Sequence, residues 1–346
     1  MIIPAPYTGA EPITANFGQN KSGMVSRSVV REIRRTADLN PPGFHRLPKK
    51  SGIRPVRKKL PRQRDRQSPS GPANRFFFAT FGTCKLSFRM AKLTFLGTGT
   101  SQGVPVISCH CRVCLSPDER DKRLRTSALI ETGRETILID AGPDFRQQML
   151  RAGVERLDGI LLTHEHKDHI SGLDDVRAFN YTSGAPVRLY AEERVQKRVR
   201  QDFDYAFSEH PYPGVPEIDL HTIRPDEPFS IGQTRIVPIR GIHYKLPVLG
   251  FRIGPLAYLT DMNRIDEREI DKIRGVDTLV INALRKEPHL SHFTLDEALR
   301  ISRAVSSNVT YLTHVSHQMG RHAEEQAALP EGVYFAYDGL TVEIPE

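Results

Sequence analysis

Short apolar runs recur along the chain from Lys92 onward, and their length and β-branched content are typical of strands. The runs are LTFLG, TSALIET, ETILIDAG, GILLTH, VRLYA, TRIVPI, LGFRIG, LAYLTD, TLVINAL, VTYLTH and LTVEI. Segments with helical spacing lie between several of them, over Asp144–Ala152, Glu192–Phe203, Ile265–Arg274 and Thr294–Val305. In the last segment, Thr294 and Glu297 have the spacing of a capping box. The pattern predicts one mixed α/β domain over residues 90–346.

The first 89 residues have a different composition from the rest. They contain 18 basic and 4 acidic residues and 10 of the 25 prolines. High charge with Pro and Ser predicts disorder, and a polyanion-binding tail is the functional alternative. A targeting peptide is disfavoured, because MIIPAPYTGAEPI lacks a charged and an apolar region. Since MAKLTFLGTG resembles a natural first strand, we expect translation to begin at Met90 and the basic segment to be an over-long gene call.

The net charge of +8 therefore misrepresents the body of the protein. Residues 90–346 contain 31 basic and 37 acidic side chains, so the body is mildly acidic and nucleic acid is disfavoured as its ligand. No apolar stretch of about 18 residues exists, so no membrane span is expected. Four cysteines are too few for a disulfide framework in a chain of 346 residues.

Candidate chemistry is densest in HEHKDH, which directly follows the apolar run GILL and Thr163. The motif supplies His164, His166, Asp168 and His169. Imidazole suits zinc, iron or manganese, and a carboxylate adds charge for a second ion. This spacing after a buried strand predicts a metal site rather than a polar surface loop.

Further metal-type ligands end other apolar runs downstream. Asp140 ends ETILID, His243 ends TRIVPIRGIH, Asp261 ends LAYLTD and His314 ends VTYLTH. A single histidine or aspartate at the end of a strand is common and would not indicate a metal site. The repetition predicts that several strand ends converge on one edge of a sandwich, where loops carry function.

The intact HEHKDH motif and these strand ends resemble the metallo-β-lactamase superfamily, whose signature is HxHxDH after a strand. The resemblance covers essentially the whole body and implies a four-layer αββα sandwich with metal ions at one sheet edge. It implies that His164, His166 and His243 hold one ion and that Asp168, His169 and His314 hold another. Asp261 would bridge the two ions, and Asp140 would accept a hydrogen bond from a ligand histidine.

Three cysteines form a C-x-C-x-x-C cluster at Cys109, Cys111 and Cys114. Structural zinc is tetrahedral and needs four protein ligands, so a fourth donor is required. His110 is local but cramped, and His317 is the better candidate. Reduced thiols without metal are the alternative, and either state indicates a reducing cytosol and hence a cytoplasmic protein.

With LGTGTSQGVP before it and LTHVSH after it, this cluster resembles the PhnP-like branch of the superfamily, which includes a phosphoribosyl 1,2-cyclic phosphate phosphodiesterase. The resemblance implies one structural zinc held by Cys109, Cys111, Cys114 and His317. It also implies a catalytic histidine upstream of the last ligand, for which His292 fits and His289 competes. Members of the branch are often dimers, which makes a homodimer an expectation here.

The expected activity is hydrolysis of a small phosphorylated substrate, most specifically the opening of a ribose-type cyclic phosphate. Two divalent ions, zinc or manganese, would acidify a shared water for attack on phosphorus. Asp168 would take part in catalysis by holding an ion, and His292 would protonate the leaving oxygen. No nucleophile elbow or Walker loop competes with this hypothesis.

Three alternatives stay open at this stage. A tRNase Z-like nuclease would use the same metals, and the basic segment superficially favours it. A cofactor-biosynthesis protein of the pyrroloquinoline-quinone B type shares the cysteine site but departs from the complete metal-ligand set. A lactone or thioester hydrolase would apply the same centre to a carbonyl.

Some polar residues outside these motifs carry weaker expectations. Arg123 and Arg125 are candidates for attracting an anionic substrate, or else belong to a solvated strand approach. His322 is expected at the surface. The Gly-rich segment Gly97–Gly103 is expected to form the turn that carries the first strand past the site, with a phosphate contact as an added possibility.

Overall fold

A computed structural model describes residues 90–345, and the basic segment and Cys84 lie outside the described residues. The strands are β1 (Met90–Gly97), β2 (Ser127–Glu131), β3 (Thr136–Ile139), β4 (Gly159–Leu161), β5 (Val187–Ala191), β6 (Ile218–Thr222), β7 (Phe229–Ile231), β8 (Thr234–His243), β9 (Leu246–Ile253), β10 (Leu256–Leu259), β11 (Arg264–Ile265), β12 (Thr278–Asn282), β13 (Val309–Thr313), β14 (Val333–Phe335) and β15 (Thr341–Pro345). The helices are α1 (Phe145–Ala152), α2 (Lys167–Ile170), α3 (Arg177–Ser183), α4 (Glu193–Asp202), α5 (Glu267–Ile273), α6 (Leu295–Val305) and α7 (His322–Gln326).

The strands form two mixed sheets. The first has the order β15-β1-β2-β3-β4-β5-β6, and its strands from β3 to β6 run parallel. The second has the order β11-β8-β9-β10-β12-β13-β14, with β7 paired to β8, and its strands from β10 to β14 run parallel. Parallel neighbours end at the same edge of a sheet, so the residues that follow β3 and β4, or β10 and β13, are brought close together.

Three apolar clusters define the layers. One contains residues of both sheets, among them Phe95, Ile139 and Phe251, and fills the space between them. A second joins the outer face of the first sheet to α1, α3 and α4, and a third joins the outer face of the second sheet to α5 and α6. This arrangement is the four-layer αββα sandwich, so the expected fold class is confirmed.

All the predicted apolar runs become strands, and all four predicted helices form. The capping box at α6 is complete, because the Thr294 hydroxyl accepts from the Glu297 backbone N–H and the Glu297 carboxylate accepts from the Thr294 backbone N–H. No helix among residues 90–345 is long and apolar enough to cross a bilayer.

Two expectations about polar residues were wrong. His322 is buried on α7, with 4% of its surface exposed, and does not lie at the surface. Arg123 is 5% exposed and is neither solvated nor open to a substrate. It donates to the Thr98 hydroxyl at 2.8 Å and to the Ala336 carbonyl, and its Nη2 lies 3.2 Å from Nδ1 of His322. A buried cation is tolerated only with such partners, and these lie far away in the sequence.

Candidate metal centre and active site

The HEHKDH residues are placed by the end of β4 and the start of α2. β4 ends at Leu161, and His164 and His166 lie in the connection that follows. Asp168 and His169 lie on the single turn of α2. Gly142 is required beside this turn, because a Cβ there would collide with the carbonyl oxygen of Asp168. The strand end and the short helix together turn the motif's side chains toward one point.

The first donor group contains His164, His166 and His243, with one ring nitrogen of each within 4.8 Å of the others. In two of these residues, His164 and His243, a hydrogen bond at Nδ1 fixes the orientation of the ring. His243 Nδ1 donates to the Ser291 carbonyl at 2.8 Å, and His164 Nδ1 lies 2.9 Å from the Thr163 hydroxyl. The Nε2 atoms of these two rings are thereby left for another partner.

The second donor group is arranged around Asp261. Its carboxylate oxygen Oδ2 lies 3.3 Å from His169 Nε2 and 3.3 Å from His314 Nδ1. Asp168 Oδ2 lies 3.2 Å from His169 Nε2. Asp261 is also grouped with His164 of the first set, so it lies between the two sets of donors. The structure thus brings together the seven residues that the family resemblance implied as ligands of a dinuclear centre.

Asp140 lies behind this centre, in the place that the family resemblance implied. Its carboxylate accepts from His169 Nδ1 at 2.7 Å and from the Thr163 backbone N–H and hydroxyl at 2.9 Å each. Since the Thr163 hydroxyl has one proton and gives it to Asp140, it must accept from His164 Nδ1. One carboxylate therefore orients two histidines, the first directly and the second through Thr163.

Three residues at the centre have a left-handed backbone conformation, which is unfavourable for residues other than glycine. The φ values are 60° at Asp140, 57° at Asp261 and 55° at His314. Each residue follows the end of a strand, β3, β10 or β13. Strained backbone that the surrounding fold enforces is typical of functional sites, because it aims a side chain that regular extension would point elsewhere.

Acidic and basic side chains at the centre shift one another's pKa. Burial acts to lower the pKa of His169, but Asp261, Asp168 and Asp140 outweigh it and hold that pKa well above its usual range. Burial acts to raise the pKa of Asp261, but His314 and His169 outweigh it and keep that pKa well below its usual range. This shift favours the ionised form of Asp261, which is the form that binds a metal ion.

Several buried ring nitrogens form no well-aligned hydrogen bond within residues 90–345, although carboxylate oxygens lie 3.2–3.3 Å from two of them, His169 Nε2 and His314 Nδ1. They are His164 Nε2, His169 Nε2, His292 Nδ1, and both Nδ1 and Nε2 of His314. An unsatisfied buried polar atom costs about 1–3 kcal/mol, so five at one point would be a heavy penalty. Imidazole nitrogens and carboxylate oxygens are ligands that divalent cations bind, so these residues fit the metal ions that the fold implies.

His292 lies at the edge of this centre, and His289 lies farther out. His292 Nδ1 is 3.8 Å from Asp261 Oδ1 and belongs to a donor group with His243 and Asp261. Burial and the neighbouring His314 lower the pKa of His292 to about 2. His289 is exposed and stacks on His292 with ring centroids 5.2 Å apart. Of the two candidates for the general acid, His292 lies nearer the predicted metal ligands, in a position that could also bind an ion.

The cysteine cluster meets His317 as expected from the sequence. His317 Nδ1 lies 3.2 Å from the Cys109 sulfur, 3.5 Å from the Cys111 sulfur and 3.4 Å from the Cys114 sulfur. All four donor atoms lie within 4.8 Å of one another, and three cysteines with one histidine are a ligand set that suits a structural zinc ion. Burial acts to raise the pKa of Cys111, but the backbone N–H groups of Cys114 and Val113 outweigh it and lower that pKa to about 6. Burial raises the pKa of Cys114 to about 11, so within the cluster it is Cys111 whose surroundings favour the thiolate, the form that binds zinc.

The two donor regions are connected by the segment after β13, which carries His314 and His317. The Val315 backbone N–H donates to the Thr98 carbonyl at 2.9 Å, within the Gly-rich turn. Gly97 is required there, because a Cβ would collide with the Arg125 carbonyl. Arg125 itself pairs with Asp144 at 3.2 Å, so it braces this turn and is not a free cation.

Thr163 and Ser291 hold ring nitrogens of His164 and His243, and neither residue was predicted to support the site. Thr163 carried a signal, since it directly precedes the HEHKDH motif. Ser291 acts through its backbone carbonyl, a group that every residue has, so the sequence carries no signal for this role.

Comparison with known proteins gives this site a family context. Residues 135–315 match the family described as the beta-lactamase superfamily domain. A solved structure described as a new diphosphatase from the PhnP family is 39% identical, with a TM-score of 0.69, and the match covers 74% of this chain and 99% of that one.

Two curated relatives are similar over part of their length. An octanoyltransferase of Porphyromonas gingivalis is 44% identical over 253 residues, which is 72% of this chain and 51% of that protein. A ribonuclease Z of Thermosynechococcus vestitus is 27% identical over 167 residues, which is 47% of this chain and 36% of that protein. The chain thus spans about half of the first relative and about a third of the second.

Proposed function

Because this chain belongs to the metallo-β-lactamase superfamily and to its PhnP-like branch, we propose that it is a metal-dependent phosphodiesterase that opens a ribose-type cyclic phosphate. The observation that carries the proposal is the complete set of seven histidine and aspartate donors at one sheet edge, among them buried ring nitrogens that form no well-aligned hydrogen bond. The similarity to a PhnP-family diphosphatase over 99% of that chain favours phosphorus over carbon as the centre attacked.

The protein's own residues would divide the work as follows. His164, His166 and His243 would hold one divalent ion, and Asp168, His169 and His314 a second, with Asp261 shared between them. When bound, such a pair of ions acidifies water and offsets charge on the phosphoryl oxygens. Asp140 and Thr163 would keep the ligand rings in one orientation and one tautomer throughout turnover.

His292 would donate a proton to the leaving oxygen. Its Nδ1 faces Asp261 Oδ1, which leaves Nε2 as the atom for the substrate. An alkoxide is a poor leaving group, so an N–H beside it is needed to deliver or share a proton. The negative charge of a bound phosphate favours the protonated ring and opposes the effects of burial.

The structural zinc site would contribute to the same function from a distance. One zinc ion would be bound by four protein ligands, Cys109, Cys111, Cys114 and His317. Since His317 lies three residues after His314, that ion would fix the segment from which His314 reaches the centre. The cofactors proposed are therefore two divalent ions, zinc or manganese, and one structural zinc.

Asp168→Ala tests the proposed centre. The substitution removes a carboxylate ligand from α2, and we expect loss of diester hydrolysis by more than about 100-fold, together with a lower content of bound metal. The circular dichroism spectrum should stay close to that of the wild type, because Asp168 is not part of an apolar cluster. Asp219→Ala, on exposed β6, is the matched control. Full activity in Asp168→Ala would show that the centre lies elsewhere.

A second candidate is hydrolysis or transfer of an acyl group, which the name of the 44% identical relative favours. That name describes a protein of which this chain spans only 51%, so the acyl chemistry can belong to the unmatched half. An octanoyl thioester assayed beside a phosphodiester separates the two candidates. Turnover of the thioester alone would replace the phosphodiesterase proposal.

A further inference from the structure

The two residues between the ligands of the HEHKDH motif contact α4. Glu165 Oε1 accepts from Arg194 Nη1, and Lys167 Nζ pairs with Asp202 Oδ2. Arg194 lies in the first turn of α4, and Asp202 is the last residue of that helix. Because the ligand His166 lies between these two contacts, α4 holds the metal-binding connection on both sides of that residue.

Arg194 also contacts the strand pair that carries the third ligand of the first donor group. Its Nη2 donates to the Pro247 carbonyl on β9 at 2.6 Å, and Pro247 pairs with Ile242, the residue before His243 on β8. The planar guanidinium of arginine holds several N–H donors in one rigid fork, which the ammonium of lysine does not. One side chain thus joins the connection after β4, in the first sheet, to β8 and β9, in the second.

A second path of charges runs from Arg194 to β8. Arg194 Nη2 lies 3.8 Å from Glu192 Oε2, and Glu192 Oε1 accepts from Arg240 Nη2 at 2.6 Å. Arg240 lies on β8, three residues before His243. We call Glu165, Arg194, Glu192 and Arg240 the charge chain. Its charges alternate in sign, and it connects the motif to β8 through partly buried side chains.

The charge chain does not maximise the stability of the fold. Glu165 Oε2, Glu192 Oε2 and Arg240 Nε are buried without a hydrogen bond in the part of the chain that the structure describes. Taking charges out of water is costly, and apolar residues in such places often give a more stable protein. The value of the charge chain is then a fixed arrangement of the elements that it joins.

Within the first donor group, the ring of His166 has no support of its own. The rings of His164 and His243 are each held at Nδ1 by a hydrogen bond. The His166 ring is exposed and forms no hydrogen bond within residues 90–345. Its position is therefore set by the backbone of the connection, which Glu165 holds from the preceding position.

We propose that Arg194 is a positioning residue for the first metal ion. Through Glu165 it holds the connection that carries His164 and His166 against β8 and β9, where His243 completes the set. It is hydrogen-bonded to none of these ligands and acts through the elements that carry them. This inference rests on the metal centre of the proposed function and adds a residue that determines how tightly the first ion binds.

Arg194→Met removes the guanidinium and keeps much of the length of the side chain. Loss of a group that orients metal ligands costs about 10–100-fold in affinity, and we expect that loss for one bound ion alone. The full chain is stripped of metal, and its Zn²⁺ affinities are measured by competition with a chromophoric chelator, which requires no substrate. Unchanged affinities would overturn the inference. So would an equal loss for every bound ion, which is the sign of general destabilisation.

Arg198→Met is the matched control. Arg198 lies one turn further along α4, and its Nε pairs with Asp202 Oδ2 of the same helix at 3.0 Å. Arg198→Met should therefore keep every Zn²⁺ affinity of the wild type. A loss as large as that in Arg194→Met would show that any change of charge on α4 has this effect, and the role given to Arg194 would fail.

His166→Ala identifies the ion that Arg194 affects. It removes a ligand of the first ion, so adding Arg194→Met to it should cause little further loss of affinity. In Asp168→Ala, which lacks a ligand of the other ion, Arg194→Met should keep its full effect. The reverse pattern would show that Arg194 supports the second ion and would overturn the assignment.

Glu165→Gln separates positioning from a structural role of Arg194. If the guanidinium acts through Glu165, the double variant Glu165→Gln/Arg194→Met should lose no more affinity than Arg194→Met alone. Arg194→Lys keeps the charge but not the fork, so it should recover the affinity only in part. Losses that add in the double variant would show that Arg194 acts independently of Glu165, which contradicts the inference.

The metal dependence of the rate keeps this inference apart from the proposed reaction. In Arg194→Met, the Mn²⁺ concentration for half-maximal hydrolysis should rise, while kcat at saturating metal stays near that of the wild type. If the wild type hydrolyses no phosphodiester but its Zn²⁺ affinity depends on Arg194, the proposed reaction fails and the positioning role stands. If the wild type is active and Arg194→Met keeps wild-type affinities, the positioning role fails and the reaction stands.

Discussion

Individual side chains in this protein are held by partners that lie far away in the sequence. Asp140 alone accepts from His169 and from Thr163, and Thr163 in turn holds His164. The sequence identified the donors because histidine and aspartate at strand ends are conspicuous. It did not show that the backbone carbonyl of Ser291 accepts from His243, or that Asp261 and His314 have a left-handed backbone. Neither feature depends on the type of residue at the position.

Asp140→Asn should weaken metal binding while the fold persists. An amide keeps the size of the carboxylate but loses its charge, and its single oxygen cannot replace both carboxylate oxygens, one of which accepts from His169 Nδ1 and the other from the Thr163 backbone N–H. Loss of such a supporting partner costs about 10–100-fold in metal affinity or activity. Competition with a chromophoric chelator measures the affinity, and Asp219→Asn provides a comparison at an exposed site. Unchanged affinity would contradict the role given to Asp140.

His292→Ala and His289→Ala decide between the two candidates for the general acid. We expect His292→Ala to lower kcat/KM by about 100-fold or more on a cyclic ribose phosphate, whose leaving group is an alkoxide. On a p-nitrophenyl diester the loss should be far smaller, because that leaving group needs no proton. His289→Ala should leave the ratio of the two rates unchanged. Equal losses on both substrates in His292→Ala would argue for a metal-binding role.

At the scale of elements, the helices and strands that could be predicted were those with a regular hydrophobic pattern. Long strands such as β8 and the helices α4 and α6 repeat their period often enough to be recognised. The strands β6, β7, β11 and β14 and the helices α2, α3 and α7 were missed, and most of them are too short for a period to appear. α2 is nevertheless the element that turns Asp168 and His169 into the site.

Cys111→Ser tests the element that follows the Gly-rich turn. A structural zinc site contributes folding energy, so its loss should lower the Tm by several degrees and remove one equivalent of bound zinc. The remaining protein should keep most of its turnover rate at low temperature, since the cysteines do not touch the substrate. Differential scanning fluorimetry with elemental analysis gives both values. A stable but inactive Cys111→Ser protein would place the cysteines in catalysis.

At the scale of the whole molecule, the sandwich brings together residues that are distant in the chain. At this edge His243 ends β8, while His164, Asp261 and His314 lie in the segments that follow β4, β10 and β13. This convergence followed from the sequence, since the same residue types recurred at strand ends. The buried charge of Arg123 did not follow, because its partners Thr98, Ala336 and His322 meet only in the folded protein.

The central claim is that metal ions held at this edge hydrolyse a phosphodiester. Its most direct test is the rate at which the purified full chain opens a ribose cyclic phosphate, measured as isolated, after chelation, and after addition of Mn²⁺ or Zn²⁺. An octanoyl thioester is assayed in parallel. We expect turnover of the cyclic phosphate that chelation abolishes and metal restores, with none on the thioester. A folded, metal-loaded protein that leaves the cyclic phosphate intact, or that hydrolyses it equally well after complete metal removal, would contradict the account.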